Sequence, residues 1–75
     1  MSDELPTEPK EIFEIIISAD EKLKYATAER SGTRVQQARA LLERARDAAR
    51  AIGNEALVGQ AETRLADLDA AGAES

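Results

Sequence analysis

The stretch "RVQQARALLERARDAARAIGN", residues 34–54, decides the fold of this chain. Apolar and small residues recur in it at alternating spacings of three and four, which places them on one face of an α-helix. This face comprises Val35, Ala38, Leu42, Ala45, Ala49 and Ile52, with Leu41 and Ala48 beside it. Four of these eight residues are alanine, so neighbouring helices can approach closely. The pattern predicts a helix over residues 33–52 that buries one face.

A further helix is predicted on the carboxyl side of this stretch. Gly53 can adopt the left-handed conformation that ends a helix, and Asn54 can cap the next one with its side-chain oxygen. The third helix is then predicted over residues 54–70. Its inward residues are Val58, Ala61, Leu65 and Leu68, with Leu57 alongside. Gly59 weakens its first turns by up to ~1 kcal/mol relative to alanine.

A first helix is predicted over residues 8–30. Thr7 can cap it, and Pro9 is tolerated in the first turn because its missing N–H would have been unpaired there. The apolar face consists of Ile12, Ile16, Ala19, Leu23 and Ala26. Residues 31–33 are predicted as the break, with Gly32 ending this helix and Thr33 capping the second.

The three helices define the predicted fold class. Connections of two or three residues force consecutive helices to lie antiparallel. We therefore predict an all-α, antiparallel three-helix bundle (up-down-up) over residues 7–70, with disordered tails at 1–6 and 71–75.

Composition excludes several classes of protein. The 75 residues contain no cysteine and no histidine, which excludes disulfides, zinc fingers and thiol or imidazole catalysis. The longest apolar run is three residues, as at 15–17, against ~20 for a membrane span. The acidic amino terminus does not resemble a secretory signal. We expect an intact small reading frame that encodes a soluble, cytoplasmic protein without contact to a membrane.

The charge of the chain is unevenly distributed. The net charge is −5, but residues 22–50 carry eight basic and three acidic side chains, a local balance of +5. The remaining residues carry two basic and twelve acidic side chains, a balance of −10. An acidic chain disfavours nucleic-acid binding, because neutralisation of phosphates supplies most of that affinity.

The passage from Gln36 to Leu68 resembles tetratricopeptide-type repeats with longer helices. The motif positions are Ala38, Leu42 and Ala45, followed by the Gly53-Asn54 turn, and the pair Tyr25-Ala26 recurs forty residues later as Leu65-Ala66. Lys22 and Glu29 stand where that family has large aromatics, and Arg50 replaces its proline. The resemblance covers about one and a half units and implies a protein–protein interaction role. Fewer than ~3 repeats would require self-association or docking onto a larger partner.

Catalytic chemistry finds no support in the sequence. The fifteen carboxylates have the distribution of a solvated helix surface, and paired-carboxylate catalysis needs a pocket that a bundle of this size lacks. The four glycines are isolated, so no phosphate-binding loop is present. We predict a non-enzyme with no catalytic, cofactor-binding or metal-binding residues.

Arginines of the second helix form a secondary charged flank. Arg39, Arg46 and Arg50 lie on one stripe beside the apolar face, with Glu43 inside it. This flank is interpreted first as salt-bridged, solvated surface whose long stems cover the apolar face. It is alternatively a docking strip for an acidic partner or a second copy's acidic tails. Together with Arg34, the charged flank could also bind nucleic acid. A small nucleic-acid-associated protein is therefore our second functional hypothesis.

The first helix has more apolar residues than one face requires. "IFEIII", residues 12–17, contains five large apolar residues, and Phe13 and Ile17 lie about 100–140° around the helix from Ile12. A helix that touches two neighbours needs a wide apolar face, so both residues are candidates for the core. The neighbouring helices are rich in alanine, however, and small side chains can leave Phe13 and Ile17 uncovered. Both residues are therefore also candidates for an interface, together with Tyr25. We predict a protein–protein interaction or adaptor module that binds a protein partner or a second copy of itself through helix 1.

Overall fold

The computed structural model confirms the predicted fold class. It describes residues 5–24 and 31–73, which form three α-helices: α1 (Pro9–Lys24), α2 (Ser31–Ala51) and α3 (Glu55–Ala73). No strand occurs in those two ranges. The chain is an all-α three-helix bundle.

Side-chain pairs between helices show their directions. Arg50, near the end of α2, pairs with Glu62 in the first half of α3. Arg39, nearer the start of α2, pairs with Asp69 further along α3. The two helices therefore run antiparallel, as the three-residue connection between them requires.

Helix α2 lies between the other two helices. It packs extensively against both α1 and α3, whereas α1 and α3 contact each other much less. Lys22, late in α1, lines one groove with Arg34, early in α2. Ile15, earlier in α1, lines another groove with Arg44, so α1 and α2 also run antiparallel.

The core follows the predicted helix faces, although Leu57, predicted alongside, is buried and Val58, predicted inward, is only partly buried. Its buried residues in the described part of the chain are Ile12, Ile16, Ala19, Ala38, Leu42, Ala45, Ala48, Ala49, Leu57, Ala61, Leu65 and Leu68. Six of these twelve are alanine, and only Ile12, Ile16 and Leu42 are large side chains with no exposed surface. The core is therefore tightly apposed but contains little large apolar volume.

The turn between α2 and α3 is built as predicted. The amide of Gly53 donates to the carbonyl of Arg50 and the amide of Asn54 to that of Ala49, the paired bonds of a Schellman motif. Gly53 has the left-handed φ of 72° that this motif requires. The Asn54 side-chain oxygen then accepts a 3.1 Å bond from the amide of Leu57, which caps α3.

The amino-terminal end of α1 differs from the prediction in two respects. Pro9 is its first residue and the Glu8 carbonyl accepts the first helical bond, so Glu8, not Thr7, occupies the capping position. Proline at the first helical position fixes this start, because its φ is already helical. Leu5, expected in a disordered tail, instead packs partly buried against the core.

Two further boundaries differ from the prediction. Residues 31–33 belong to the first turn of α2, and Gly32 is helical where a left-handed break was expected. First-turn amides need no partner within the helix, so glycine is tolerated there without the left-handed conformation. Disorder is predicted from residue 71, but α3 continues to Ala73. The predicted extension of helix 1 to residue 30, including Ala26, lies outside the described residues.

Candidate interaction surface

Phe13 and Ile17 form an exposed apolar pair on α1. They are separated by four residues, which places their side chains next to each other on the helix. Phe13 is 44% exposed and Ile17 is 37% exposed, although their neighbours Ile12 and Ile16 are fully buried. The structure therefore places both outside the core of the single chain. Tyr25, the third predicted contact residue, lies outside the described residues.

The exposed apolar pair lies on the side of α1 that faces α3. Asp20 marks this side, because the Nε of Arg64 on α3 donates to both of its carboxylate oxygens, at 2.9 and 3.1 Å. In helical angle Asp20 lies between the buried face and Ile17, about 60° from Ile17. The Arg64 Nη1 also donates to the carbonyl of Gln60 one turn earlier on α3. The pair thus lies beside the contact between α1 and α3, which is the least extensive of the three contacts between helices.

The opposite side of α1 is more fully packed. Ile15 is partly buried there and packs against the core, as does Leu5. Both residues line a groove of about 560 Å³ together with Arg44 of α2. The amino-terminal segment thus supplies apolar packing on the α2 side of α1, while Phe13 and Ile17 keep a large exposed fraction on the α3 side.

The predicted charged flank is largely engaged within the chain. Arg39 pairs with Asp69 at 2.8 Å and Arg50 with Glu62 at 2.6 Å, both across to α3. Arg46 pairs at 3.2 Å with its neighbour Asp47. These ion pairs resemble the salt-bridged, solvated flank that was our first interpretation, but the partners of Arg39 and Arg50 lie on another helix.

A second groove lies between α1 and α2. Lys22, Thr33, Arg34 and Gln37 line an open space of about 450 Å³, so two cationic side chains from different helices face the same volume. Arg34 belongs to the predicted nucleic-acid set, but Lys22 was not predicted as a site residue. Spacing within one helix could not have paired them, because their proximity depends on how α1 and α2 align.

The described residues contain neither a cluster of metal-ligating side chains nor a helix able to span a membrane. Within residues 5–24 and 31–73, no three acidic side chains are grouped closely enough to hold a metal ion. None of the helices in this part of the chain has the length and apolar character needed to cross a bilayer.

Comparisons of the chain with known protein families, curated proteins and solved structures found no match. The tetratricopeptide resemblance therefore remains a prediction that rests on the sequence motif.

Proposed function

We propose that this protein is a non-enzymatic protein–protein interaction module that self-associates through α1. The observation that carries the proposal is the exposure of Phe13 and Ile17 side by side on one helix. Large apolar side chains that remain contiguous on a folded surface are typical of protein interfaces. A second copy of the chain is the simplest partner, because a twofold contact needs only one such surface.

The composition of the core supports the same proposal. Chains of this length rarely gain more than ~3–5 kcal/mol from their own core. Here half of the buried described residues are alanine, and the single phenylalanine, Phe13, keeps 44% of its surface exposed. Burial of a phenylalanine or isoleucine side chain contributes about 1.5–3 kcal/mol. Only 44% of Phe13 and 37% of Ile17 remains to be covered, so a dimer that buries both would add roughly 1–2.5 kcal/mol per chain. That is a substantial addition to a core of ~3–5 kcal/mol.

The alternative, a nucleic-acid-associated protein, has less support. Arg39 and Arg50 already have carboxylate partners on α3, and a phosphate would have to displace them. A cytoplasmic location also remains part of the proposal. The absence of cysteine is consistent with a reducing compartment but does not require one.

Sedimentation velocity of the parent chain and of Phe13→Glu tests the proposal. At about 100 µM, where micromolar association is saturated, we expect the parent to sediment with twice its 8.1 kDa mass. Phe13→Glu should sediment as one chain, because each introduced carboxylate would be buried against apolar side chains of the other copy near the twofold axis. Ile17→Lys should have the same effect by removing the other half of the exposed apolar pair.

Ala40→Glu is the matched control. Ala40 is exposed on α2, away from the exposed apolar pair, so a carboxylate there should leave the mass of the assembly unchanged. Circular dichroism of each variant checks that the helices remain folded. A parent that is monomeric at this concentration, or variants that lose their helices without any dimer to dissociate, would overturn the proposal.

A further inference from the structure

We propose that the α1 helices of the two copies lie antiparallel, with Lys10 of each chain beside Glu21 of the other. This inference rests on the proposed self-association and specifies its geometry. A second copy of the chain would cover the exposed apolar pair, because charges of opposite sign flank this pair.

Lys10 and Glu21 lie on the same exposed surface as Phe13 and Ile17. Counting about 100° per residue, both charged residues lie within about 40° of Ile17 around the helix. Both side chains are exposed. Neither has an ion-pair or hydrogen-bond partner among the residues that the structure describes. The surface therefore has a cation at one end and an anion at the other. Glu21 also borders a groove with Lys22 and Arg34 on the α2 side, but forms no ion pair with either.

The two pairs share one centre along the helix. The midpoint of the apolar pair, Phe13 and Ile17, is residue 15. The midpoint of the charged pair, Lys10 and Glu21, lies half a residue later, about 0.8 Å along the helix axis. A twofold axis through this point places Phe13 against the partner's Ile17. The same axis places Lys10 against the partner's Glu21, and symmetry repeats both contacts. One rotation thus satisfies the apolar and the charged residues together.

A parallel arrangement would not satisfy the charges. Lys10 would then face the partner's Lys10 and Glu21 the partner's Glu21, and like charges opposite each other destabilise a contact. The opposite charge would lie eleven residues away, about 16 Å along the helix. That separation exceeds the screening length of about 10 Å at 0.1 M salt, so it would give little compensation.

Glu14 lies on the same flank and opposes the antiparallel contact to some extent. It falls near the centre, where it approaches the partner's Glu14. Lys10 lies four residues before Glu14, so each lysine would lie between Glu14 of its own chain and the partner's Glu21. The two lysines, one on each side of the centre, thus partly offset the repulsion between the two Glu14 carboxylates.

Charge reversal tests the orientation. We expect Lys10→Glu alone and Glu21→Lys alone to raise the dimer dissociation constant by about 5- to 30-fold, since two exposed ion pairs are replaced by two repulsions. The double variant Lys10→Glu/Glu21→Lys should restore the parent value to within about twofold, because the pairs reform with their signs exchanged. All differences should shrink towards ~1 M salt.

The outcomes separate this inference from the proposed function. Both reversals place favourable charges at the ends of α1, a carboxylate near its start and an ammonium near its end, so neither should unfold the chain. If single reversals leave the dissociation constant unchanged while Phe13→Glu still yields monomers, the dimer stands and its antiparallel orientation is wrong. If the double variant dissociates as readily as the single variants, the Lys10–Glu21 pairing is overturned. A parent that never dimerises overturns both proposals.

Discussion

Gly53 and Asn54 carry most of the local information in the connection between α2 and α3. Gly53 has a φ of 72°, a conformation that costs a residue with a Cβ roughly 1 kcal/mol or more. Gly32 and Gly59, in contrast, are helical. A Cβ at any of the three positions would meet no other part of the chain within 4 Å, so the backbone conformation alone distinguishes Gly53. The same residue type therefore has opposite consequences at these positions.

Alanine substitutions should separate these roles of glycine. We expect Gly53→Ala to lower the free energy of unfolding by about 1 kcal/mol, because alanine is strained in the left-handed region. Gly59→Ala should raise it by about 0.5–1 kcal/mol, because alanine favours the helical conformation and open space surrounds the site. Urea denaturation of the two variants and the parent measures both changes. Equal effects of the same sign at residues 53 and 59 would contradict this account of the turn.

At the scale of helices, one ion pair connects elements that otherwise meet little. Arg64 of α3 holds Asp20 of α1 with both partners partly shielded, at side-chain exposures of 30% and 41%. The Arg39–Asp69 pair between α2 and α3 is more open, with exposures of 37% and 68%. Shielding from solvent reduces screening, so the first pair should contribute more to stability.

A double-mutant cycle measures this difference. We expect Asp20→Asn and Arg64→Gln to show a coupling energy of about 0.5–1 kcal/mol. The matched cycle of Arg39→Gln with Asp69→Asn should show less than about 0.5 kcal/mol, because that pair is more hydrated. Denaturant unfolding at low salt provides both values. Equal couplings would show that the Asp20–Arg64 pair does not fix α1 against α3.

The same scale shows why part of the structure could be predicted and part could not. The buried faces follow from spacing within each helix, so Ile12, Leu42 and Leu65 could be assigned to the core from the sequence. The exposure of Phe13 was predicted as one of two alternatives, because spacing shows the width of an apolar face but not how much of it the neighbours cover. The packing of the three helices decides between burial and exposure of Phe13, because α3 makes few contacts with α1.

Contacts between helices were the least predictable features. Arg39 has an acidic residue, Glu43, one turn away on its own helix, yet it pairs with Asp69 of α3. That pairing depends on the alignment of α2 with α3, which local spacing does not encode. The packing of Leu5 could not be predicted for a different reason, because a residue before the first helix has no periodic pattern that would assign it to the core.

At the scale of the whole molecule, stability and self-association should be linked. If folding is coupled to burial of the exposed apolar pair in a dimer, mass action stabilises the folded state as concentration rises. A hundredfold increase, from about 5 to about 500 µM, adds about 2.7 kcal/mol per dimer. For two chains of this length, that corresponds to a melting temperature about 5–10 °C higher.

We therefore expect the parent's melting temperature, followed by circular dichroism, to rise with concentration. The Phe13→Glu variant should melt at one temperature across the same range, because its unfolding involves a single chain. Ala40→Glu should follow the parent, which separates the effect of an added charge from loss of the contact. A parent whose melting temperature is independent of concentration would mean that the bundle is stable by itself and that Phe13 and Ile17 contribute nothing to its folding through a second copy.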